Sequence, residues 1–261
     1  MTTPTDTLPD ALPARPISPI ALLLLLAWAG AGVGLSLSEP LRGPFTFVFV
    51  LIGWVLSVMA HEFGHAFVAY KGGDHTVAAK GYLTLDPLRY MDSVTSLVIP
   101  LVVLAIGGIG LPGGAVYLRQ DLMRGPLWRS AAALAGPAGT LVTLVFLSGC
   151  IAALRILAPA AEALPAALAF LAFLQATALL INLLPIPGLD GYGALRPFLP
   201  QGLAAGLGKL EPIVFLGFIA LLFVSPLANG LLFGSAFGLA AAAGVPGQAV
   251  AAGFDAFRFW K

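Results

Sequence analysis

Apolar residues in this chain come in long runs, whereas a soluble protein mixes them with polar residues. A transmembrane helix needs about 20 apolar residues. Five runs reach or approach that length, and they cover Ile17–Ser38, Pro44–Tyr70, Leu127–Leu157, Leu164–Leu184 and Pro212–Ala243. The last run is too long for one helix and contains Pro226, Asn229 and Gly230, which favours two short passes or a hairpin. The pattern predicts an all-α membrane protein with about six transmembrane helices.

A sixth apolar segment, Ser93–Gly110, is short and ends in a glycine-rich stretch. It either spans the membrane or dips in and returns. If it returns, the lysines and arginines before and after it share one side, which the positive-inside rule makes cytoplasmic. If the C-terminal run is in addition a hairpin, only Arg42 and Arg155 of the 13 lysines and arginines lie outside. We therefore expect a re-entrant or β-like segment here, and Arg258 and Lys261 on the cytoplasmic side.

Composition agrees with a membrane location. Apolar residues make up 59% of the chain and charged residues 10%, with a mean hydropathy of +0.97, whereas soluble domains are about 25% charged. We expect a disordered cytoplasmic tail over 1–16, one polytopic membrane domain over 17–245 and a short C-terminal tail over 246–261. No basic cluster suggests nucleic acid. The single cysteine, Cys150, cannot form an intramolecular disulfide.

One short motif places ionisable residues at the end of an apolar run. The sequence MAHEFGHAFVAY contains His61, Glu62 and His65 in H-E-x-x-H spacing. Residues i and i+4 lie on one helix face, about 5–6 Å apart, so both imidazoles can reach one Zn²⁺. Glu62 is then placed to take a proton from water at that metal. Ionisable groups inside a span are costly and usually mark function, so we predict one zinc ion per chain. The alternative is a polar patch between helices or a proton path.

A catalytic zinc takes three protein ligands and keeps a fourth position open. We expect His75, in a charged loop ten residues past His65, to be solvated, and Cys150 to be inert. The better candidate is Asp190, in the turn-forming sequence INLLPIPGLDGYG. Taken alone, this segment is equally compatible with a zinc ligand and with a plain Asp-Gly turn at the membrane surface.

The predicted topology decides between these two interpretations of Asp190. With a re-entrant Ser93–Gly110, the helices before Lys71 and before Asp190 run in the same direction, and Asp190 emerges on the side of the histidines. If Ser93–Gly110 spanned, Asp190 would lie across the bilayer. His61 precedes Lys71 by ten residues, or about 15 Å of helix. We therefore expect the site in the cytoplasmic half of the bilayer.

The two motifs together resemble a known family. HEFGH in one membrane helix, followed later by N-x-x-P-x-P-x-L-D-G, is similar to the site-2 proteases, which are intramembrane zinc metalloproteases. The sequences GYLTLDPLRYMDSVTSLVIP and ALAGPAG between them resemble a prokaryotic subgroup without a PDZ domain. The resemblance covers roughly Phe47–Pro197. It implies that His61, His65 and Asp190 bind zinc and that Glu62 is the general base.

The resemblance also implies a role for Asn182, which would help to hold the substrate backbone or the developing oxyanion. An asparagine in a lipid-embedded helix needs a partner in any case, so a structural role stays open. One position departs from the family pattern. Gly136-Pro137 matches a family loop that often carries asparagine three residues on, where this chain has Thr140 or its neighbour Gly139.

The predicted function is that of a zinc metalloendopeptidase that cleaves peptide bonds within or near transmembrane segments of other membrane proteins. The expected location is a prokaryotic inner membrane, with the N-terminus and the opening of the site in the cytoplasm. One alternative is a proton- or cation-coupled transporter, although the chain has no convincing inverted repeat. Another is a non-catalytic relative that binds membrane helices, which would not need Glu62.

Overall fold

The fold is a bundle of α-helices. The computed structural model describes residues 17–90 and 116–261, and no strand occurs within these ranges. The helices are α1 (Pro19–Leu37), α2 (Arg42–Gly72), α3 (Thr76–Ala79), α4 (Pro87–Tyr90), α5 (Pro126–Leu157), α6 (Ala163–Asn182), α7 (Asp190–Leu195), α8 (Gln201–Val224), α9 (Pro226–Ala242) and α10 (Gly247–Phe257). The predicted tail over 1–16 and the Ser93–Gly110 segment lie outside the described residues and remain predictions.

Five of these helices, α1, α2, α5, α6 and α8, are long and apolar enough to cross a membrane. A sixth candidate span is the pair α9 and α10, which is bent by 118° at its short break. These helices confirm the predicted all-α membrane fold with about six spans. Their bounds fall close to the apolar runs because the bilayer sets the length of each run.

Local sequence explains where several helices begin and end. The Ser18 hydroxyl accepts a hydrogen bond from the Ala21 amide and caps α1, with Pro19 at the first helical position, where its missing N–H costs nothing. Helix α2 ends at Gly73, whose φ of +116° is a left-handed conformation that glycine adopts without strain. The Ser225 hydroxyl caps α9 in the same way as Ser18 caps α1.

Helix α6 lies at the centre of the bundle, and most of its residues are buried. Helices α2 and α5 pack closely against each other beside it. At Gly139 an added Cβ atom would lie 2.6 Å from the Ala60 carbonyl oxygen, and at Gly64 one would collide with the Ala135 carbonyl. Glycine is therefore required at both positions, because the two backbones touch there.

In the C-terminal third of the chain, the helices begin and end at other residues than the sequence predicted. Helix α8 begins at Gln201, well before the predicted run that starts at Pro212, and it contains Pro212. Ser225 separates α8 from α9, and Leu222 of α8 and Ala228 of α9 belong to one apolar cluster near this break. A bend of 118° follows between α9 and α10, beyond the stretch with Pro226, Asn229 and Gly230 at which two short passes or a hairpin were expected.

Residues 246–261, expected to form a short tail, contain helix α10. Gly253 of α10 packs against the Ala166 carbonyl, and the Phe257 ring stacks on Phe47 with 5.1 Å between centroids. Phe259 covers Gly43. The C-terminus therefore lies at the end of the bundle where α2 begins, away from Lys71. This corrects the expectation that Arg258 and Lys261 share a side with Lys71.

The contact between α2 and α5 can be tested with two glycines of one helix. Gly139→Ala should lower the free energy of unfolding by about 1–3 kcal/mol, because the new methyl group overlaps the α2 backbone. Gly149→Ala is the matched control: nothing lies within 4 Å of its added Cβ, so it should leave stability unchanged or raise it by up to about 1 kcal/mol. Thermal unfolding in detergent measures both. Equal stability of the two variants would contradict this packing.

Candidate metal centre

Three predicted ligands meet at one point inside the bundle. The Nε2 atom of His61 lies 3.2 Å from Oδ2 of Asp190, and Nε2 of His65 lies 3.3 Å from Oδ1 of the same carboxylate. The two Nε2 atoms are 3.0 Å apart. Among the described residues, these three form a group whose ligand atoms all lie within 4.8 Å of one another. The structure therefore brings Asp190 next to two histidines that precede it by 125 or more residues in the sequence.

A tight turn between α6 and α7 delivers Asp190 to the histidines. Helix α6 ends at Asn182, just before the two prolines of the LLPIPGLDG sequence. Gly188 has a φ of +96°, and a side chain at Gly191 would collide with the Leu183 carbonyl. These glycines let the chain reverse within a few residues. Asp190 is consequently the first residue of α7, rather than part of a turn exposed at the membrane surface.

Helix α5 orients both imidazole rings. The Nδ1 atom of His65 lies 2.7 Å from the Ala132 carbonyl oxygen, which can only accept, so Nδ1 carries the proton. The Nδ1 atom of His61 lies 2.9 Å from the Thr140 hydroxyl, which itself is 3.4 Å from the Gly136 carbonyl. A hydroxyl that donates to Gly136 accepts from His61. Both rings then present the lone pair of Nε2 to the centre, as zinc ligands do.

Zinc fits this arrangement on three grounds. Two imidazole lone pairs and a carboxylate converge, and such acceptors repel one another unless a cation or a proton lies between them. Oδ2 of Asp190 is buried and has no hydrogen-bond partner in the described part of the chain. At Gly136 an added Cβ atom would lie 2.6 Å from Nε2 of His61 and would also collide with His65, so the glycine keeps this space open. Nitrogen and oxygen donors of this kind suit Zn²⁺.

Glu62 lies beside the three ligands and is not one of them. Its side chain is 4% exposed, and its Oε2 atom accepts a hydrogen bond of 3.1 Å from the Val116 amide. Three residues on, the Arg119 amide donates to the buried carboxylate of Asp74 at 2.7 Å. Segment 116–119 is thus tied to α2 near the metal group and to the loop that follows α2. The contact with Val116 fixes one oxygen of Glu62 and leaves the other available.

At the exposed end of this segment, Arg119 forms a two-point ion pair with Asp121, with distances of 2.9 and 2.7 Å. The guanidinium lowers the pKa of Asp121 to about 2. Asp121 therefore stays ionised and paired outside the metal group.

A cavity of about 340 Å³ opens beside the metal group. Its walls include the three ligands, Glu62, Val116 and Leu118. Three charged residues also line it: Arg129 of α5, Arg196 directly after α7, and Glu211 of α8. Water would reach an ion at the ligands through this space.

The remaining candidates from the sequence are Asn182, His75 and Cys150. Asn182 is 5% exposed, lines the cavity and makes no side-chain hydrogen bond within the described ranges, so the structural partner considered for it does not occur there. His75 is half-buried against the Tyr70 ring, at 4.9 Å between centroids, and is neither solvated nor part of the metal group. Cys150 is a free thiol on α5 away from the cavity.

Sequence reasoning missed the part played by α5. The chain departs from the family's asparagine at Thr140 or Gly139, yet the Thr140 hydroxyl contacts His61. Gly136 and Pro137, expected in a loop, lie inside α5. A threonine on the same helix face as Gly136, one turn later, was the available signal.

Apolar spans around two histidines and a carboxylate define a membrane metalloprotein, and comparison with known proteins identifies its family. The chain is 46% identical over 224 residues to "Putative zinc metalloprotease Rip2" of Mycobacterium tuberculosis and 44% identical over 223 residues to the Mycolicibacterium smegmatis protein of that name, in each case covering 85% of both chains. It is 30% identical over 195 residues to "Putative zinc metalloprotease YwhC" of Bacillus subtilis, covering 71% of this chain and 84% of that one. No family model and no solved structure matches the chain.

The chain therefore belongs to the site-2 protease family, together with these bacterial zinc metalloproteases. Its cofactor is zinc.

The contact from Thr140 to His61 predicts an effect on metal affinity. Thr140→Val keeps the shape of the side chain but removes the acceptor for the imidazole N–H, so zinc affinity should fall by about 10- to 100-fold. Thr140→Ser should restore most of it. The matched control is Thr143→Val, because the Thr143 hydroxyl donates to the Gly139 carbonyl of its own helix and has no other partner in the described part of the chain. Competition with a chelating dye measures all three. Equal affinities of the two valine variants would contradict the role of Thr140.

Proposed function

We propose that this chain is an endopeptidase that cleaves other membrane proteins within or near their transmembrane segments. The observation that carries the proposal is the position of the candidate centre. His61, Glu62 and His65 lie inside α2, a helix of membrane-spanning length, with apolar helices on either side. A peptide bond can reach Glu62 only by entering the bundle, and the protein segments found at that depth are transmembrane segments.

In the proposed mechanism, bound zinc would polarise the scissile carbonyl and lower the pKa of a water molecule. His61, His65 and Asp190 would hold the ion. Glu62 takes the proton from the attacking water and later gives it to the leaving amine, as a general base and then a general acid. The bond from the Val116 amide holds the Glu62 carboxylate in place while its second oxygen exchanges the proton.

The substrate must expose its backbone before it is cut. A helix in lipid hides its amides in internal hydrogen bonds, so a segment has to unwind to present one peptide bond to Glu62. Asn182 is placed to help, because its amide lines the cavity beside Asp190 and has no partner in the described part of the chain. We assign it to the substrate carbonyl or the developing oxyanion.

We further propose that the site opens to the cytoplasm of a bacterial cell from the inner membrane. The basic residues Lys71, Lys80, Arg124 and Arg129 cluster at the end of the bundle where α2 ends and α5 begins, as the positive-inside rule requires of the cytoplasmic end. Arg258 and Lys261 lie at the other end. Labelling of single cysteines from each side of the membrane would decide this orientation.

The two rival functions make different demands on the site. A proton- or cation-coupled transporter would use His61, Glu62 and Asp190 as a relay and would not need a third group that completes a metal site. A non-catalytic helix-binding relative would not need Glu62 held beside the ligands. The arrangement described here favours hydrolysis over both.

Replacement of the proposed base tests the function. Glu62→Gln removes the proton acceptor and leaves the three ligands intact, so the variant should retain about one zinc per chain and lose cleavage by at least about 100-fold. The two proteins would be expressed in a bacterial host, and new protein termini in host membranes mapped by mass spectrometry. Termini within transmembrane segments should appear with the unmodified chain alone.

The matched control is Glu162→Gln, which changes an exposed glutamate at the start of α6, at the far end of the bundle. It should retain both zinc and cleavage. Equal sets of termini with Glu62→Gln and with the unmodified chain, or a chain free of zinc after purification without chelators, would contradict the proposal.

A further inference from the structure

One face of α6 lines the cavity beyond the metal group. It carries Gln175, Ala178 and Asn182, at positions i, i+3 and i+7 of the helix, and all three contact the cavity. Residues of α2 on the opposite wall include Trp54, Ser57 and His61. The cavity therefore continues from Asp190 for about two helical turns along α6.

Gln175 is the unusual residue of this face. Its side chain is 1% exposed, and its Nε2 atom has no hydrogen-bond partner within the described ranges. Two buried hydroxyls on the helices that line the cavity are satisfied by their own backbone: Thr177 donates to the Phe173 carbonyl at 2.9 Å, and Ser57 donates to the Gly53 carbonyl at 2.7 Å. A buried amide without a partner is unfavourable, and Gln175 can gain one only from something in the cavity.

We propose that Gln175 binds the main chain of the unwound substrate, about three residues from the peptide bond at the metal group. This inference rests on the endopeptidase function proposed above. Seven residues of helix separate Gln175 from Asn182, or about 10.5 Å along α6. An extended peptide rises about 3.3 Å per residue, so the two amides match main-chain groups three residues apart.

The chemistry of the cavity favours main chain over side chain as the bound group. A transmembrane substrate offers mostly apolar side chains, and its regularly available polar groups are peptide N–H and C=O, freed when it unwinds. A primary amide can donate to one and accept from the other. Between the two amides lies Ala178, whose small side chain leaves room for a backbone to pass. Gln175 is thus a positioning residue that would set how far the substrate unwinds.

Peptide binding to the inactive protein tests the proposal without chemistry. The probe is a synthetic transmembrane peptide with about 20 apolar residues and a central Asn-Pro pair, bound in detergent to the Glu62→Gln protein. Adding Gln175→Met, which keeps the side-chain shape but has no amide, should weaken binding about fivefold to tenfold. Zinc content and the thermal midpoint should not fall, because the Nε2 atom of Gln175 has no hydrogen-bond partner in the described part of the chain.

The matched control is Thr177→Val on the same helix, whose hydroxyl is satisfied by its own backbone and which does not line the cavity. It should leave peptide affinity unchanged. A second variant, Ala178→Val, narrows the path between the two amides and should weaken binding while leaving zinc in place.

Substrate esters identify the group that Gln175 contacts. An ester carbonyl accepts hydrogen bonds more weakly than an amide carbonyl, so esters scanned along the unwound segment weaken, one position at a time, the acceptor that the Nε2 donor of Gln175 would bind. At one position, about three residues from the cleavage site, the ester should weaken binding to the Glu62→Gln protein but not to the form that also carries Gln175→Met.

The outcomes separate the two proposals. Unchanged peptide affinity in Gln175→Met, or a loss matched by a lower thermal midpoint, overturns the role of Gln175 while cleavage by the unmodified chain still stands. If the peptide neither binds to the Glu62→Gln protein nor is cut by the unmodified chain, the endopeptidase proposal fails, and the role of Gln175 fails with it.

Discussion

The close approach of helices α2 and α5 is the contact on which the metal centre depends. Gly64 and Gly139 let the two backbones touch, because a methyl group at either position would overlap a carbonyl of the other helix. At this short distance the Thr140 hydroxyl and the Ala132 carbonyl reach the Nδ1 atoms of the two histidines. Both rings are thereby fixed with Nε2 toward Asp190. Packing between apolar helices thus determines the geometry of a polar site.

Burial of charge is the second constraint, and it explains why so many polar groups near the site have partners. A carboxylate in an apolar bundle is costly unless it is paired or hydrogen-bonded. Asp74 accepts bonds from Thr76 and from the Arg119 amide, and Glu62 accepts one from Val116. The facing acceptor atoms of Asp190 and the two histidines are satisfied when a cation lies between them. Two polar side chains of α6 without a partner in the described ranges, Gln175 and Asn182, line the cavity, where a substrate would supply the missing partners.

The sequence predicted the spans well because bilayer thickness fixes the length of an apolar run. It also predicted which residues approach one another, since H-E-x-x-H lies on one helix face and the positive-inside rule placed Asp190 on the same side. The position of the C-terminal region was harder to predict from the sequence. Hydropathy does not show that α10 folds back onto Phe47 and Gly43, so Arg258 and Lys261 were assigned to the wrong end. Contacts between distant positions, such as Thr140 with His61, depend on helix packing that no local pattern encodes.

The most direct test of the metal centre is X-ray absorption at the zinc edge, measured on the purified chain in detergent. Two imidazoles and one carboxylate predict nitrogen and oxygen donors at about 2.0–2.1 Å, with the outer-shell scattering that imidazole rings produce. The signal should correspond to two histidines and should lose one of them in His65→Ala. A sulfur donor at about 2.3 Å, which only Cys150 or a methionine could supply, or a spectrum without imidazole scattering, would contradict a centre built from His61, His65 and Asp190.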